Sequence, residues 1–275
     1  MNECYGKKFI LNGVIQTAEM FSNSFVYEGD SVYEVLRMNR GVPFFFPDHM
    51  ERLSTSVKLQ KKEILADMQT LRKAIICLAR ADKKRESNLK IVFNYNNDIK
   101  NWLVYYIEHI YPTDLQYRNG VKGILFNAER KDPESKVINH KLRSSIYHKL
   151  IAEGGYEAIL VNENNFITEG SRSNIFFLKG EILVTAADNV ILNGITRKNI
   201  LQICNENKIK VEFSCVNAND IKDYDAVFMT GTSPMVLPFS SIGDKYFKVG
   251  HPLVEKLRKL YIEKAEASLD QFRSE

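Results

Sequence analysis

The sequence has few of the residues that mark disulfide-rich, metal-binding or membrane proteins. Only four of its 275 residues are cysteines and none forms a CxxC pair, so we expect free thiols in a reducing compartment, with Cys77 and Cys204 buried inside apolar helical patterns. The five histidines show neither metal-ligand spacing nor an HExxH motif, which predicts no metal site. No apolar run approaches the roughly 18 residues of a membrane span, and the first residues lack the layout of a secretion signal. We therefore expect a cytoplasmic protein without a membrane segment.

The charge pattern gives little reason to expect nucleic acid as a partner. The net charge is only +4, and lysines and arginines alternate with acidic residues almost everywhere. The most basic run, 80–85, is interrupted by Ala81 and Asp82, and we interpret it as a solvated helix end. Hydrophobic content of 44% and charged content of 26% are typical of a globular protein.

The chain divides into two predicted domains. Residues 1–112 show strands, an Asn12-Gly13 hairpin turn and two amphipathic helices, the first with Asp48 as its expected N-cap and Glu51 completing a capping box. Turn-forming residues over 113–120 predict an interdomain linker. Residues 121–275 alternate short strands with helices, including one after Asn193-Gly194, and we expect an α+β architecture throughout.

Several residues match the demands of pyridoxal 5'-phosphate chemistry. The cofactor needs a lysine for its aldehyde, an acid for its pyridine nitrogen and an anion-binding cup for its phosphate. The candidates are Lys136, Glu169, the helix start Gly194–Arg197, the turn Gly231–Ser233, and Arg52 on the first helix. Each signal is weak alone, and only the ordered set points to a cofactor site.

This ordered set resembles the class IV, fold-type IV enzymes: branched-chain aminotransferases, D-amino-acid aminotransferases and aminodeoxychorismate lyase. The resemblance covers nearly the whole chain. It rests on the stretches Gly29–Arg37, Asp48–Leu53, Thr168–Phe176, Gly194–Arg197 and Met229–Ser233. It implies a small N-terminal α/β sandwich-like domain, a larger C-terminal pyridoxal phosphate-binding domain with a pseudo-barrel, and a homodimer with a shared active site.

The resemblance also implies a role for each matching residue. Lys136 would bind the cofactor covalently and move protons as the catalytic residue, and Glu169 would pair with the pyridine nitrogen. The remaining cofactor contacts would come from Arg52, Ser173, Asn174, Ile195, Thr196 and Thr232. Tyr33 and Ser233 would bind the substrate, an amino acid or a 2-oxo acid.

Lys141 competes with Lys136 for the catalytic role. The interval from Lys136 to Tyr156 is close to that of the family, and Lys136-Val137-Ile138-Asn139 reproduces the family's Lys-x-x-Asn, so we assign Lys136. Lys141 itself stands where branched-chain enzymes often carry a tyrosine. This is a departure from the pattern.

The reaction stays open among several alternatives. The leading hypothesis is transamination between an L-amino acid, branched-chain-like, and a 2-oxo acid. The first alternative is the lyase reaction that forms p-aminobenzoate and pyruvate from aminodeoxychorismate. D-amino-acid transamination is the second, but 93–98 lacks the Arg-x-His pair that such enzymes use. A non-catalytic dimer with the same fold is the last. Cofactor-binding motifs do not separate these cases, because fold and cofactor do not fix the reaction.

Overall fold

The protein folds into two compact units in a computed structural model that describes residues 2–274. One unit contains the chain up to Ile110, the short segment Ser135–Ile138 and the end of the chain from Lys264. The other contains Tyr111–Glu134 and Asn139–Glu263. These units differ from the predicted division in two places, because Ser135–Ile138 and the last residues belong by their contacts to the first unit.

The first unit is built on an antiparallel sheet of six strands in the order β2-β1-β6-β5-β3-β4. The strands are β1 Lys8–Leu11, β2 Val14–Thr17, β3 Asp30–Asn39, β4 Val42–Pro43, β5 Ser87–Asn96 and β6 Ile99–Ile107. Asn12 and Gly13 both have positive φ angles, of 48° and 85°, as the predicted two-residue hairpin turn requires. Strand β5 is buried along nearly its whole length, since it lies inside the sheet and both of its faces are covered.

Three helices accompany this sheet, and a fourth ends in this unit. They are α1 Ser24–Tyr27, α2 Phe46–Leu59, α3 Met68–Asp82 and the last turns of α7 Pro252–Ser274. The apolar residues of α3 that face the sheet, Leu71, Ala74, Ile75 and Leu78, recur every three or four positions and form one face. They pack with residues of α2, β3 and β5 into a core that also takes in Phe272.

The segment Ser135–Ile138 joins the edge of β3 although it is far away in the sequence. Val137 forms an antiparallel bridge with Val32. The Tyr33 amide donates to the Lys136 carbonyl at 3.0 Å, and the Ile138 amide donates to the Ser31 carbonyl at 3.2 Å. This edge is open to the segment because β4 pairs only with Met38 and Asn39 at the other end of β3. The pairing fixes the backbone of Lys136 beside Tyr33.

The second unit is built on a mixed ten-stranded sheet. Its order is β12-β11-β10-β14-β15-β7-β8-β9-β13, with β16 paired to β15. The strands are β7 Val121–Asn127, β8 Glu157–Val161, β9 Phe166–Gly170, β10 Asn174–Lys179, β11 Ile182–Thr185, β12 Val211–Phe213, β13 Val216–Asn217, β14 Ala226–Gly231, β15 Met235–Ile242 and β16 Lys245–Tyr246. Strands β7 and β8 run parallel, since a helix crosses between them.

The helices of the second unit are α4 Asp114–Asn119, α5 His140–Glu153, α6 Ile195–Glu206 and the first part of α7. Gly154 ends α5 in the left-handed conformation with a φ of 62°, as the sequence predicts. Within residues 2–274, no helix combines the length and the apolar character that crossing a bilayer requires.

Local features differ from the sequence predictions at several points. Helix α2 begins at Phe46 rather than after Asp48, because Pro47 occupies its first turn and presets the helical φ angle; Asp48 is therefore not the N-cap. The predicted linker 113–120 is mostly the helix α4, capped by Thr113 and Gln116. Cys77 is exposed, since it lies on the side of α3 that faces away from the sheet, whereas Cys204 is buried as predicted.

Replacing Gly120 by alanine should destabilise the protein more than the same change at Gly180. Gly120 has a φ of 72° and a ψ of 176°, and an added Cβ would lie 2.7 Å from the Ser240 amide nitrogen. Gly180 also has a positive φ, of 58°, but an added Cβ there meets nothing within 4 Å. We expect a loss of about 3 kcal/mol for Gly120→Ala and about 1 kcal/mol for Gly180→Ala, measured by urea unfolding. Equal losses would contradict the close packing at Gly120.

Candidate active site

Helix α2 and strand β3 of the first unit bury an ionic cluster. Glu34, fully buried on β3, accepts a bidentate pair of hydrogen bonds from Arg52, whose Nε and Nη2 each lie 2.7 Å from a carboxylate oxygen. His49 Nδ1 lies 2.7 Å from the same carboxylate. His49 and Arg52 are three residues apart on α2 and so project from one face of the helix. The pair with Glu34 fixes the plane of the Arg52 guanidinium, the predicted phosphate ligand.

The electrostatics of this cluster hold Glu34 ionised. Burial raises the pKa of Glu34, but the Arg52 charge and hydrogen bonds from Arg52 and His49 outweigh it and leave the pKa at about 2. Burial lowers the pKa of His49 despite its contact with Glu34. A carboxylate with a depressed pKa stabilises the fold above its ordinary pKa of 4.5, and this stability is lost as the pH falls towards 2.

Lys136 lies in the same unit beside Tyr33. Its Nζ is 4.8 Å from the centroid of the Tyr33 ring, and its amide donates to the Ser56 hydroxyl of α2 at 3.2 Å. Lys136 is half-buried, whereas Lys141 is exposed on the first turns of α5. Three predicted site residues, Tyr33, Arg52 and Lys136, thus belong to one unit, although the sequence analysis assigned Lys136 to the C-terminal domain.

The predicted acid Glu169 lies near the end of β9 in the second unit. It is only 4% exposed, and its two oxygens have different partners. Oε1 accepts from Nη1 of Arg130 at 3.0 Å, and Oε2 accepts from the Leu192 backbone amide at 3.1 Å. Arg130 was not among the predicted site residues, since it stands in a loop with no recognisable motif.

Ser173 and Asn174 follow Glu169 in the sequence, and their side chains form hydrogen bonds to the strand β8 and to Leu192. The side-chain amide of Asn174 donates to the Leu192 carbonyl at 2.8 Å, so Leu192 is held by Glu169 and Asn174 together. The Ser173 hydroxyl donates to Glu157 at 3.0 Å. Glu157, buried on β8, also accepts from Ser171 and ties the Gly170–Ser173 turn to the sheet.

Leu192 leads directly into the amino end of α6, the predicted anion cup. Ile195 and Thr196 are buried there, and the N-cap residue, Gly194, makes no side-chain hydrogen bond to this end of the helix. Gly194 leaves no room for a side chain, since an added Cβ would lie 2.2 Å from Asn174 Oδ1. The Thr196 hydroxyl lies 3.2 Å from the Tyr261 hydroxyl of α7. First-turn amides and the helix dipole make such an end favourable for an anion.

Arg197 does not take part in this cup but anchors it. Its side chain is buried, and its Nη1 lies 2.6 Å from Oδ1 of Asp188. Its Nη2 donates to the Ala186 carbonyl at 2.8 Å. Thr232 and Ser233, the remaining predicted residues, lie in the turn between β14 and β15 and are half-buried. Strand β15, which the sequence analysis did not predict, returns the chain from this turn into the sheet.

Comparison with known proteins identifies the family of the chain. The model of the family described as amino-transferase class IV matches residues 31–242, which is more than half of the chain. The chain belongs to the class IV aminotransferases. It is therefore a pyridoxal phosphate-dependent enzyme.

Relatives that carry the names of different activities have similar sequence identities to this class IV enzyme. The D-alanine aminotransferase of Bacillus licheniformis is 28% identical over 235 residues, covering 82% of this chain and 83% of that protein. The aminodeoxychorismate lyase of Bacillus subtilis is 24% identical over 236 residues, covering 81% and 80%. The crystal structure of the branched-chain aminotransferase of the archaeon Thermoproteus uzoniensis with norvaline superposes with a TM-score of 0.84 at 22% identity, covering 97% of each chain. The predicted α+β, fold-type IV architecture is confirmed, and it is built on two sheets.

The residues of this class IV enzyme fit pyridoxal phosphate. Lys136 offers an amine, Glu169 a buried carboxylate that one arginine and one amide already orient, and α6 an amino end whose N-cap is a glycine. Arg52 adds a guanidinium whose plane is fixed. Each of these groups suits one part of the cofactor. The amine can react with the aldehyde, the acid can pair with the pyridine nitrogen, and the amides and the cation can bind the phosphate.

Glu34→Gln should destabilise the enzyme at neutral pH by about 3 kcal/mol, because the partly buried Arg52 guanidinium loses the charge of its counter-ion. The difference from wild type should shrink as the pH falls below 4.5, since the Glu34 carboxylate of the unfolded chain then takes up a proton that the folded protein, with a Glu34 pKa of about 2, does not bind. Urea unfolding at neutral pH and at about pH 3.5 measures this, with exposed Glu86→Gln as control. A difference that is independent of pH would contradict the ionised state of Glu34.

Proposed function

We propose that this class IV enzyme transfers the amino group of an L-amino acid with an apolar, branched-chain-like side chain to a 2-oxo acid. The observation that carries the proposal is the contact of Lys136 Nζ with the Tyr33 ring, 4.8 Å from its centroid. Tyr33 belongs to a mostly apolar, aromatic-rich cluster with Phe9, Phe21, Val26, Val92, Leu103 and Tyr105. An amine beside such a cluster favours substrates that carry apolar side chains.

The proposed roles divide among anchoring, proton transfer and orientation. The bound cofactor supplies a covalent attachment for the substrate amine and withdraws electrons from the substrate α-carbon. Lys136 Nζ would anchor the cofactor and then accept the proton of the substrate α-carbon. Glu169, held ready by Arg130 and Leu192, would keep the pyridine nitrogen protonated.

Binding of the phosphate and of the substrate would use the remaining residues. The amides of Ile195 and Thr196, the Thr232 hydroxyl and the Arg52 guanidinium would hold the phosphate. Ser173 and Asn174 would act on the cofactor through the loops that they brace. Tyr33 would border the substrate, and the Ser233 amide would bind its carboxylate.

Two alternatives have some support of their own. The relative with 28% identity is named D-alanine aminotransferase, which favours D-amino acids. The end of β5 argues against them, because 93–98 contains no Arg-x-His pair, and Asn94 there binds Ser31 and the Glu28 carbonyl. The relative named aminodeoxychorismate lyase supports the second alternative. We further propose that the enzyme acts as a homodimer.

Lys136→Ala should abolish the visible absorption of the cofactor-bound lysine and the adduct that borohydride reduces, because the amine that binds the aldehyde is lost. Lys141→Ala, five residues away and exposed, is the matched control and should keep both signals. Absorption spectra and mass spectrometry of the reduced protein measure this. The reverse result would assign the catalytic role to Lys141.

A panel of amino donors tests the reaction itself. We expect transamination of L-leucine and L-valine with 2-oxoglutarate, and activity at least about tenfold lower with D-alanine. The assay measures the 2-oxo acid formed from each amino donor. Production of p-aminobenzoate from aminodeoxychorismate without an acceptor 2-oxo acid would overturn the transaminase proposal. A preference for D-alanine would overturn only the proposed L stereochemistry of the substrate and leave the transaminase proposal in place.

A further inference from the structure

The first unit carries a cavity that includes none of the candidate site residues. It lies where the turn between β3 and β4, the last turns of α3 and the last turns of α7 meet, and its volume is about 500 Å³. This volume is within the range of roughly 300–1,000 Å³ that is typical of small-molecule sites. Several side chains at its border, among them Arg80 and Arg85, are exposed, so the cavity is open to solvent.

The lining of this cavity is strongly basic. Seven of its twelve lining residues are arginine or lysine, and none is acidic. Arg40 and Arg273 have carboxylate partners, Glu266 at 3.4 Å and Asp270 at 3.1 Å, and both pairs are exposed. The other five basic residues form no ion pair with a carboxylate of residues 2–274; they are Arg72, Arg80, Lys83, Lys84 and Arg85. The cavity therefore has a large excess of positive charge.

The acidic residues next to this cluster in the sequence do not neutralise it. Both carboxylate oxygens of Asp82 accept from the Lys7 amide at 3.0 Å, and Glu86 does not line the cavity. Lys84 has uncharged partners, since its Nζ donates to the Tyr5 carbonyl at 3.2 Å and lies 3.7 Å from the centroid of the Tyr5 ring. The positive charge is thus available to an anion from outside the chain.

Arg72 gives the cavity a wall that is both apolar and cationic. Its guanidinium lies over the Phe272 ring, with Cζ 4.8 Å from the centroid, and Nη2 donates to the Phe272 carbonyl. The buried Nε has no hydrogen-bond partner among residues 2–274. Val42, Ile76 and Ala79 continue the apolar part of this wall. A flat guanidinium held against a ring is preorganised for an anion.

A solvated helix end explains only part of this cluster. Basic residues such as Arg80 and Lys83 are favourable at the end of α3 because of the helix dipole. Arg40 comes instead from the β3–β4 turn and Arg273 from α7. The Gly41 amide donates to the Arg85 carbonyl at 2.9 Å and joins that turn to the segment after α3. Three distant parts of the chain therefore bring cations to one concave surface.

We propose that this cavity binds a small anion with two or more adjacent phosphate groups, either inorganic polyphosphate or the phosphate chain of a nucleotide. Adjacent phosphates place several negative charges within a few ångströms of one another, which matches several unpaired cations around one cavity. Arginine binds phosphate oxygens through two parallel hydrogen bonds. The inference does not depend on the proposed reaction, because no candidate site residue lines the cavity.

The first test measures binding of tripolyphosphate and of ATP, each without magnesium, to the holoenzyme by calorimetry. The bound cofactor fills its own phosphate site, so a second anion reports on another one. We expect both probes to bind, more weakly as the salt concentration rises. ATP that binds more tightly than tripolyphosphate would assign the site to nucleotides, and equal affinities would assign it to the phosphate chain alone.

A pair of double variants tests whether these cations form the site. Arg80→Gln/Arg85→Gln should weaken binding of both probes at least about tenfold. Both side chains are exposed, so this variant should fold. Lys58→Gln/Lys73→Gln removes the same charge from exposed positions of α2 and α3 outside the cavity, and it should bind within about twofold of wild type.

Ala79→Leu tests the cavity without a change of charge. Ala79 is half-buried on the cavity wall, and the larger side chain should weaken binding at least about fivefold by filling the space. Absence of binding for both probes up to about 5 mM would overturn the proposal. Equal losses in the two double variants would also overturn it, because they would show a general attraction to a basic protein. Tighter binding of citrate than of tripolyphosphate would overturn the phosphate class of the ligand.

Discussion

The pairing of Ser135–Ile138 with the edge of β3 is the constraint on which the site residues of the first unit depend. Two backbone hydrogen bonds and the Val32–Val137 bridge set the register of this segment. Side chains alternate along a strand, so a shift by one residue would turn Lys136 to the opposite face. The Ser56 hydroxyl of α2 accepts from the Lys136 amide and secures the segment from the helix side. The catalytic candidate is therefore placed by sheet pairing rather than by its own loop.

Side chains of strand β3 alternate between the two faces of the sheet, and each face carries a candidate site residue or its partner. Tyr33 and Val35 face an aromatic-rich cluster, whereas Val32 and Leu36 face the core formed with α2 and α3. Glu34 shares the second face and there meets His49 and Arg52. One ten-residue strand thus carries a candidate substrate contact on one side and the carboxylate that orients a candidate phosphate ligand on the other.

In the second unit, Leu192 connects the candidate acid Glu169 with the candidate phosphate site at the start of α6. Glu169 accepts from its amide and Asn174 donates to its carbonyl, so the acid and the start of α6 share one backbone residue. Gly194, packed against Asn174 without space for a Cβ, continues this contact to the amino end of the helix. A displacement of either group would therefore move the other.

Local patterns in the sequence predicted much of this protein. The turn at Asn12-Gly13, the glycine end of α5, the strands around Glu169 and the helix after Gly194 all follow from the preferences of neighbouring residues. The ordered motifs were enough to identify the family and the cofactor. The predicted start of α2 was wrong, because Pro47 places the first turn of the helix ahead of the expected cap at Asp48.

Tertiary structure alone decided which of these residues meet. Glu3 and Lys90 form an ion pair although they are 87 positions apart, and Arg130 and Glu169 are 39 apart. Periodicity and turn preferences report only on residues within a few positions of one another, whereas these contacts depend on strand order and register across a sheet. The sequence by itself determined the local elements, the family and the candidate residues. The fold decided that Lys136 belongs to the first unit and that a buried ion pair lies beside Tyr33, because long-range pairing, not local preference, positions charged side chains inside a core.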